Sequence, residues 1–183
     1  MQRTLRRRGA AAGLPAALAA VALTLSACGS GSENGKASDA GSGTHKVTTA
    51  MGEVTVKDHP RRVVVLDTAE LDSAITLGVR PVGATHADVA TGFLDYLPKD
   101  KLSGIKDVGG IAAPNLEAVA ALKPDLILTN KDRDGSRYKE LSQIAPTVMT
   151  GATGFPWKAN FTTHAAALGR TAEARKVVAD YTA

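Results

Sequence analysis

The stretch from Val108 to Leu128 limits the possible folds more than any other part of this chain. Val108-Gly109-Gly110 reads as a glycine turn. A two-turn helix follows, with Leu116, Val119 and Ala120 apolar at i, i+3 and i+4. Pro114-Asn115 opens that helix, where proline and a side-chain cap suit a first turn. Lys123-Pro124 stops it, because the residue before a proline is pushed out of the α region. Asp125-Leu126-Ile127-Leu128 is then a short apolar run of the kind that fills a parallel strand covered on both faces. The expected class is therefore α/β.

The same alternation runs along the chain. Residues 46–50 and 53–57 flank Met51-Gly52 and alternate as an N-terminal β-hairpin would. His59-Pro60-Arg61-Arg62 interrupts the pattern, and Val63-Val64-Val65-Leu66 reads as a buried strand. Asp67-Thr68 caps a helix whose apolar face is Leu71, Ala74 and Ile75. Leu77-Gly78 ends it, and Val79 to Ala84 supplies the next strand. A β-α-β unit of this kind implies parallel strands joined by a right-handed crossover. Residues 86–107 form a longer connection carrying Phe93, Leu94 and Tyr96, and connections of that length are often functional. Tyr138, Leu141 and Ile144 mark a helix before Pro146, with Thr147-Val148-Met149 a further strand. Trp157, Phe161, Ala165 and Leu168 mark another helix, closed by Gly169. Thr171 is expected to cap a last one, with Ala174, Val177, Val178 and Tyr181 on one face. That helix is still running at Ala183, which reads as a fragment of a longer protein.

The formal net charge of +4 gives a misleading first impression. Arg3, Arg6, Arg7 and Arg8 are the only charged residues before Cys28; taking those four from 22 basic residues leaves 18, matched by 18 acidic ones. A neutral remainder removes the electrostatic case for a nucleic-acid partner. The four arginines precede an alanine-rich apolar run from about Ala10 to Leu25 and then Leu25-Ser26-Ala27-Cys28, the pattern of a secretory signal. Leu-Ser-Ala-Cys matches the lipobox of bacterial lipoproteins. Residues 1–27 thus read as a lipoprotein signal peptide, Cys28 as the lipidated residue, and 28–45 as a flexible tether rich in Gly, Ser and Asp. Two acyl chains would supply stable anchoring on the extracytoplasmic face of the cell membrane. With one cysteine, an intramolecular disulfide and a four-thiolate metal site are both excluded.

Enzyme signatures are missing: there is no Gly-x-Ser-x-Gly elbow, no His-Glu-x-x-His and no dinucleotide glycine pattern. His45, His59, His86 and His164 fall in the tether edge, a turn, a loop and a helix, without metal-ligand spacing on one element, and read as solvent-facing. In a parallel α/β sheet the ligand crevice lies beyond the carboxyl ends of the strands. There the sequence places Gly109 and Gly110, then Asn130 to Tyr138 with Arg133, then the Phe155-Pro156-Trp157-Lys158 corner. Arg133 offers a planar fork for acceptor oxygens, while Tyr138 and Trp157 offer stacking surface or core. Glu70 and Glu117 lie in first helical turns, where a carboxylate favours the helix dipole.

Pro60-Arg61-Arg62-Val63-Val64-Val65-Leu66 and Leu77-Gly78-Val79-Arg80-Pro81-Val82-Gly83-Ala84 resemble the opening of the iron-siderophore and cobalamin binding proteins of ABC importers. Pro114-Asn115-Leu116-Glu117, Leu122-Lys123-Pro124-Asp125-Leu126-Ile127, Tyr138 with Leu141 to Val148, then Trp157, Asn160 and Leu168-Gly169-Arg170 are similar to that family in the same order. The resemblance implies a Rossmann-like parallel sheet flanked by helices, forming the N-terminal lobe of a bilobed receptor. Residues 46–170 would be that lobe and 171–183 the start of a rigid interlobe helix, with the second lobe absent. It further implies Arg133, Trp157, Tyr138, Gly109 and Gly110 as ligand-binding residues, and Glu117 and Glu70 as carboxylates that dock on an ABC permease. The implied ligand is a ferric siderophore, hydroxamate-type favoured. Its iron is carried by the chelate, so no cofactor is needed, and the protein is expected to be a monomer. A cobalamin or haem receptor of the same family is one alternative; a lipid-anchored Rossmann-like enzyme is another.

Overall fold

The structure, a computed structural model, describes residues 43–89 and 92–183. The signal peptide, Cys28 and most of the tether lie outside the described residues. The first ordered element starts inside the expected tether. Strands β1 (Thr44–Thr49) and β2 (Gly52–Lys57) pair antiparallel from Thr44 with Lys57 to Thr49 with Gly52. The turn is Ala50-Met51, one residue earlier than expected, and Gly52 takes φ +100. His45 is not a tether residue; it bonds the Asp58 carboxylate at 2.9 Å and the Ala166 carbonyl at 2.8 Å.

The main sheet comes next in the chain. Strand β3 (Val63–Val65) leads into helix α1 (Thr68–Thr76), then β4 (Gly83–His86), the short helix α2 (Lys99–Leu102) and β5 (Lys106–Gly110). β6 (Ala113–Pro114), α3 (Leu116–Ala121), β7 (Leu126–Asn130), α4 (Lys131–Asp134), a 3-10 turn (Gly135–Arg137) and α5 (Tyr138–Ile144) follow. β8 (Thr147–Thr150), α6 (Trp157–Ala167) and α7 (Thr171–Thr182) complete the described chain. The six strands run in the order β6-β5-β4-β3-β7-β8, all neighbours parallel except β5 with β6. Among the described residues no helix is long and apolar enough to cross a membrane.

Strand periodicity explains why the central runs are apolar throughout. Val63 and Val65 join Leu126, Leu128, α1 and α6 in one core; Val64 and Leu66 join Ile127, Met149, α3 and α5 in the other. Leu71, Ala74 and Ile75, the expected inner face of α1, are all buried. Two boundaries differ from the sequence reading. β4 begins at Gly83 rather than Val79, since Pro81 has no amide to give to a ladder. α7 begins at Thr171, so its N-cap is Arg170 and no side chain caps it.

Neither edge of the sheet offers a long free strand. β6 is two residues long and ends in Pro114, while at β8 the hairpin tip donates its Ala50 amide to the Met149 carbonyl at 2.9 Å. At the amino ends of the strands, Asp125 accepts the Arg62 amide at 2.8 Å, the Arg61 amide at 3.1 Å and the Lys57 ammonium at 3.3 Å. Burial raises its pKa, but these amides and the ammonium outweigh burial and hold it below its ordinary value of 3.8. A depressed folded value contributes stability above the unfolded value and loses it as pH falls through the folded one. Asp125→Asn is therefore expected to cost about 1 kcal/mol near neutral pH. Urea unfolding should show that difference shrinking as pH falls below 3.8 and through the folded value.

Candidate functional site

The order of the sheet creates one crevice. Moving outward from β3, the chain builds β4 and β5 on one side, then returns to place β7 and β8 on the other. The strand order thus reverses between β3 and β7, and open α/β sheets bind ligands at the carboxyl ends of such a pair. Asp67 follows β3 and Asn130 ends β7, so the two residues leave neighbouring strands side by side.

They are joined there. The Asp67 carboxylate accepts the Thr68 amide at 2.6 Å as the cap of α1. Its second oxygen accepts the Asn130 amide nitrogen at 3.1 Å and Arg133 Nε at 3.1 Å. Asn130 also caps α4, accepting the Arg133 amide at 3.1 Å through its own oxygen. The Arg133 side chain is 41% exposed and Asp67 only 4%. A partly exposed guanidinium is therefore seated on a buried carboxylate at the mouth of the crevice.

Arg137 joins this cluster to the next loop, donating to Asp134 at 2.8 Å and to the Ala112 carbonyl at 2.9 Å. Thr153 on the loop after β8 donates its amide to Asp132 at 3.3 Å. The loops after β5, β7 and β8 thus form one connected rim. The long connection after β4 is fastened to α1 instead: the Tyr96 hydroxyl donates to Asp72 at 2.6 Å. Burial raises the Asp72 carboxyl; burial and the adjacent carboxylate raise the Tyr96 hydroxyl too.

The expected site residues meet different fates. Arg133 is at the crevice. Trp157 opens α6 after the loop that follows β8, 41% exposed, edge-on to Tyr181 with ring centres 4.9 Å apart and the Lys158 ammonium over both rings. Gly109 and Gly110 are not an open turn. They pair with Pro114 and Ala113 as the end of β5, leaving Ile111-Ala112 as the turn. Gly109 takes φ +103, and a Cβ there would meet the Ala113 carbonyl at 2.9 Å, so this glycine serves the hairpin. Tyr138 packs half-buried against the core beneath α3 and α5 rather than joining the Arg133 cluster.

Of the two docking carboxylates, Glu117 is exposed in the first turn of α3, as that role requires. Glu70 is not. It is 1% exposed, accepts from Asn130 at 3.4 Å and lies 3.5 Å from His164 Nε2, itself 1% exposed. A buried carboxylate cannot meet another protein's arginine, and His164 is no solvent-facing histidine: its other ring nitrogen contacts the Ser73 hydroxyl at 2.9 Å. Sequence reasoning gave Asp67 only a cap and Asn130 only a loop. Their shared signal was a polar residue within two positions of the end of each of two apolar runs, but nothing local says that those runs are neighbours. Among the described residues no three His, Cys, Asp or Glu side chains are grouped to hold a metal ion.

The sequence profile described as Periplasmic binding protein matches residues 63–183. The "Probable siderophore-binding lipoprotein YfiY" of Bacillus subtilis is 38% identical over 160 residues, covering 87% of this chain and 49% of that protein. The "Fe(3+)-citrate-binding protein YfmC" of the same organism is 34% identical over 165 residues, covering 87% and 51%. Among solved structures, Staphylococcus aureus SirA complexed with staphyloferrin B matches with a TM-score of 0.71 at 40% identity, covering 75% of this chain and 47% of that one. The chain spans about half the length of these relatives.

Proposed function

The chain belongs to the periplasmic binding protein family, and on that premise we propose that it forms one wall of a cleft that captures a ferric siderophore outside the cytoplasm. The observation that carries this reading is Arg133, partly exposed at the reversal of strand order and held on buried Asp67. A guanidinium keeps its charge at any physiological pH and pairs with two acceptor oxygens at once, as an anionic chelate presents them. Trp157 adds an apolar face at the start of α6. The iron arrives already chelated, so the protein needs to recognise the chelate and not the metal. Exposed Glu117 is the carboxylate that would dock on an ABC permease, and the lipobox at Cys28 would hold the receptor at the membrane.

A hydroxamate chelate is the first candidate ligand. A carboxylate chelate is a second, favoured by the match between the guanidinium fork and carboxylate geometry and by the relative named for ferric citrate. Trp157 is the only tryptophan of the chain, so its emission reports on the start of α6 alone. Titration with a ferric trihydroxamate and with ferric citrate is expected to quench it, and Arg133→Ala to weaken that binding about tenfold or more. If neither chelate quenches at millimolar concentration, the siderophore reading fails. Glu117→Ala is expected to leave these titrations unchanged.

A further inference from the structure

We propose that Asp67 is a positioning residue that fixes the guanidinium of Arg133, leaving only its terminal amino groups for a ligand; the ligand part rests on the siderophore reading above. The Asp67 carboxylate accepts four donors: the Thr68 amide at 2.6 Å, the Thr68 hydroxyl at 3.1 Å, Asn130 Nδ2 at 3.1 Å and Arg133 Nε at 3.1 Å. Nε–H is the one guanidinium donor next to the side-chain stem, and it is the one that Asp67 takes. Tying it to a buried anion fixes the plane of the fork, and the terminal nitrogens have no partner among the described residues.

Asn130 makes the arrangement rigid from behind. Its amide nitrogen bridges Asp67 and Glu70, while its oxygen accepts the Arg133 backbone amide. The backbone and the side chain of Arg133 are thereby held through one amide and one carboxylate, which both issue from central strands of the sheet. Supporting groups on rigid elements reduce the ordering cost of binding a chelate. There is a charge consequence as well. Asp67 cancels most of the local charge of Arg133, so the site discriminates by the direction of two N–H groups rather than by bulk positive potential. A compact planar pair of oxygens suits that better than a diffuse polyanion.

The competing explanation is that Asp67 is merely the cap of α1. Asn and Ser both cap helices about as well as Asp. Asp67→Asn and Asp67→Ser should therefore preserve the fold while releasing Nε. The first measurement needs no ligand: in nitrogen-15 spectra of the free protein, the Arg133 Nε–H resonance is expected to be sharp and slow to exchange. In both variants exchange should accelerate about tenfold or more, as a charge-assisted bond is lost. An Nε–H equally mobile in the parent and the variants would overturn the proposal. The second measurement is a double-mutant cycle on ferric citrate binding, read by Trp157 emission. Asp67→Asn should weaken binding about tenfold in the parent, yet change it less than about twofold when Arg133 is already Gln. Tighter binding in Asp67→Asn, or an equal loss in the Arg133→Gln background, would also overturn it. If the parent binds no ferric chelate, the siderophore reading falls, while the exchange measurement still decides whether Asp67 fixes Arg133.

Discussion

Gly169→Ala is expected to destabilise the protein by about 3 kcal/mol or more, enough to unfold a marginal domain at physiological temperature. Gly169 ends α6 in the left-handed region at φ +67. That conformation alone costs an alanine about 1 kcal/mol. The larger part is steric: a Cβ there would overlap the carbonyl oxygen of Asp58 and press on the His59 ring at 3.1 Å. A backbone carbonyl cannot rotate away as a side chain can. Asp58 is also held from the hairpin side, through His45 and through its own amide to the Gly43 carbonyl at 3.0 Å. Gly104, at φ +83 with no atom within 4 Å of its would-be Cβ, separates the two costs. Urea midpoints should place Gly104→Ala about 1 kcal/mol below the parent and Gly169→Ala well below that. Equal losses would mean that the α6 corner and the Asp58 turn can part without penalty.

Glu70→Ala is expected to cost about 3 kcal/mol, because it leaves two buried donors facing a cavity. The Asn130 amide would lose one acceptor at 3.4 Å and His164 its neighbouring carboxylate at 3.5 Å. At that distance Glu70 and His164 face each other without a formed hydrogen bond, and the second Glu70 oxygen has no partner either. Glu70→Gln keeps the volume and one acceptor, so thermal unfolding should show a clearly smaller loss. The same pair of variants tests the docking role. A surface carboxylate would change stability by less than about 0.5 kcal/mol on truncation. A neutral Glu70→Ala would return Glu70 to the surface.

Those two residues mark where local sequence stops being informative. Val63 to Leu66 and Leu126 to Leu128 could be read as strands because both faces of each run are buried, so every position is apolar. The face of α1 could be read because Leu71, Ala74 and Ile75 recur at helical spacing. Gly169 could be read as a helix stop, but not as the close approach to Asp58, which depends on where the hairpin packs. Glu70 in a first turn has a sufficient local explanation in the helix dipole. Its burial comes from α6, which brings His164 across α1 from 94 positions further along the chain. Asp67 was legible as the cap of its own helix and Asn130 only as part of a strand-end loop, though each caps a helix. Their partnership was not, because strand order is a long-range property: β3 pairs with β7 across 63 positions, Val63 with Leu126. Arg133 could be picked out as a candidate because a planar cationic fork stands just after a strand end. The carboxylate that seats it required the sheet.

The short or bonded sheet edges bear on how many such molecules can share a surface. A row of free strand amides and carbonyls is a template for a second copy of the same chain. Of the two residues in β6, Pro114 has no amide to offer, and the strand is too short to guide a neighbour. At the opposite side the hairpin tip already bonds to β8. A second copy of this domain would therefore find little ladder to extend at either end of the six-stranded sheet. Lateral polymerisation is thereby suppressed at its first step.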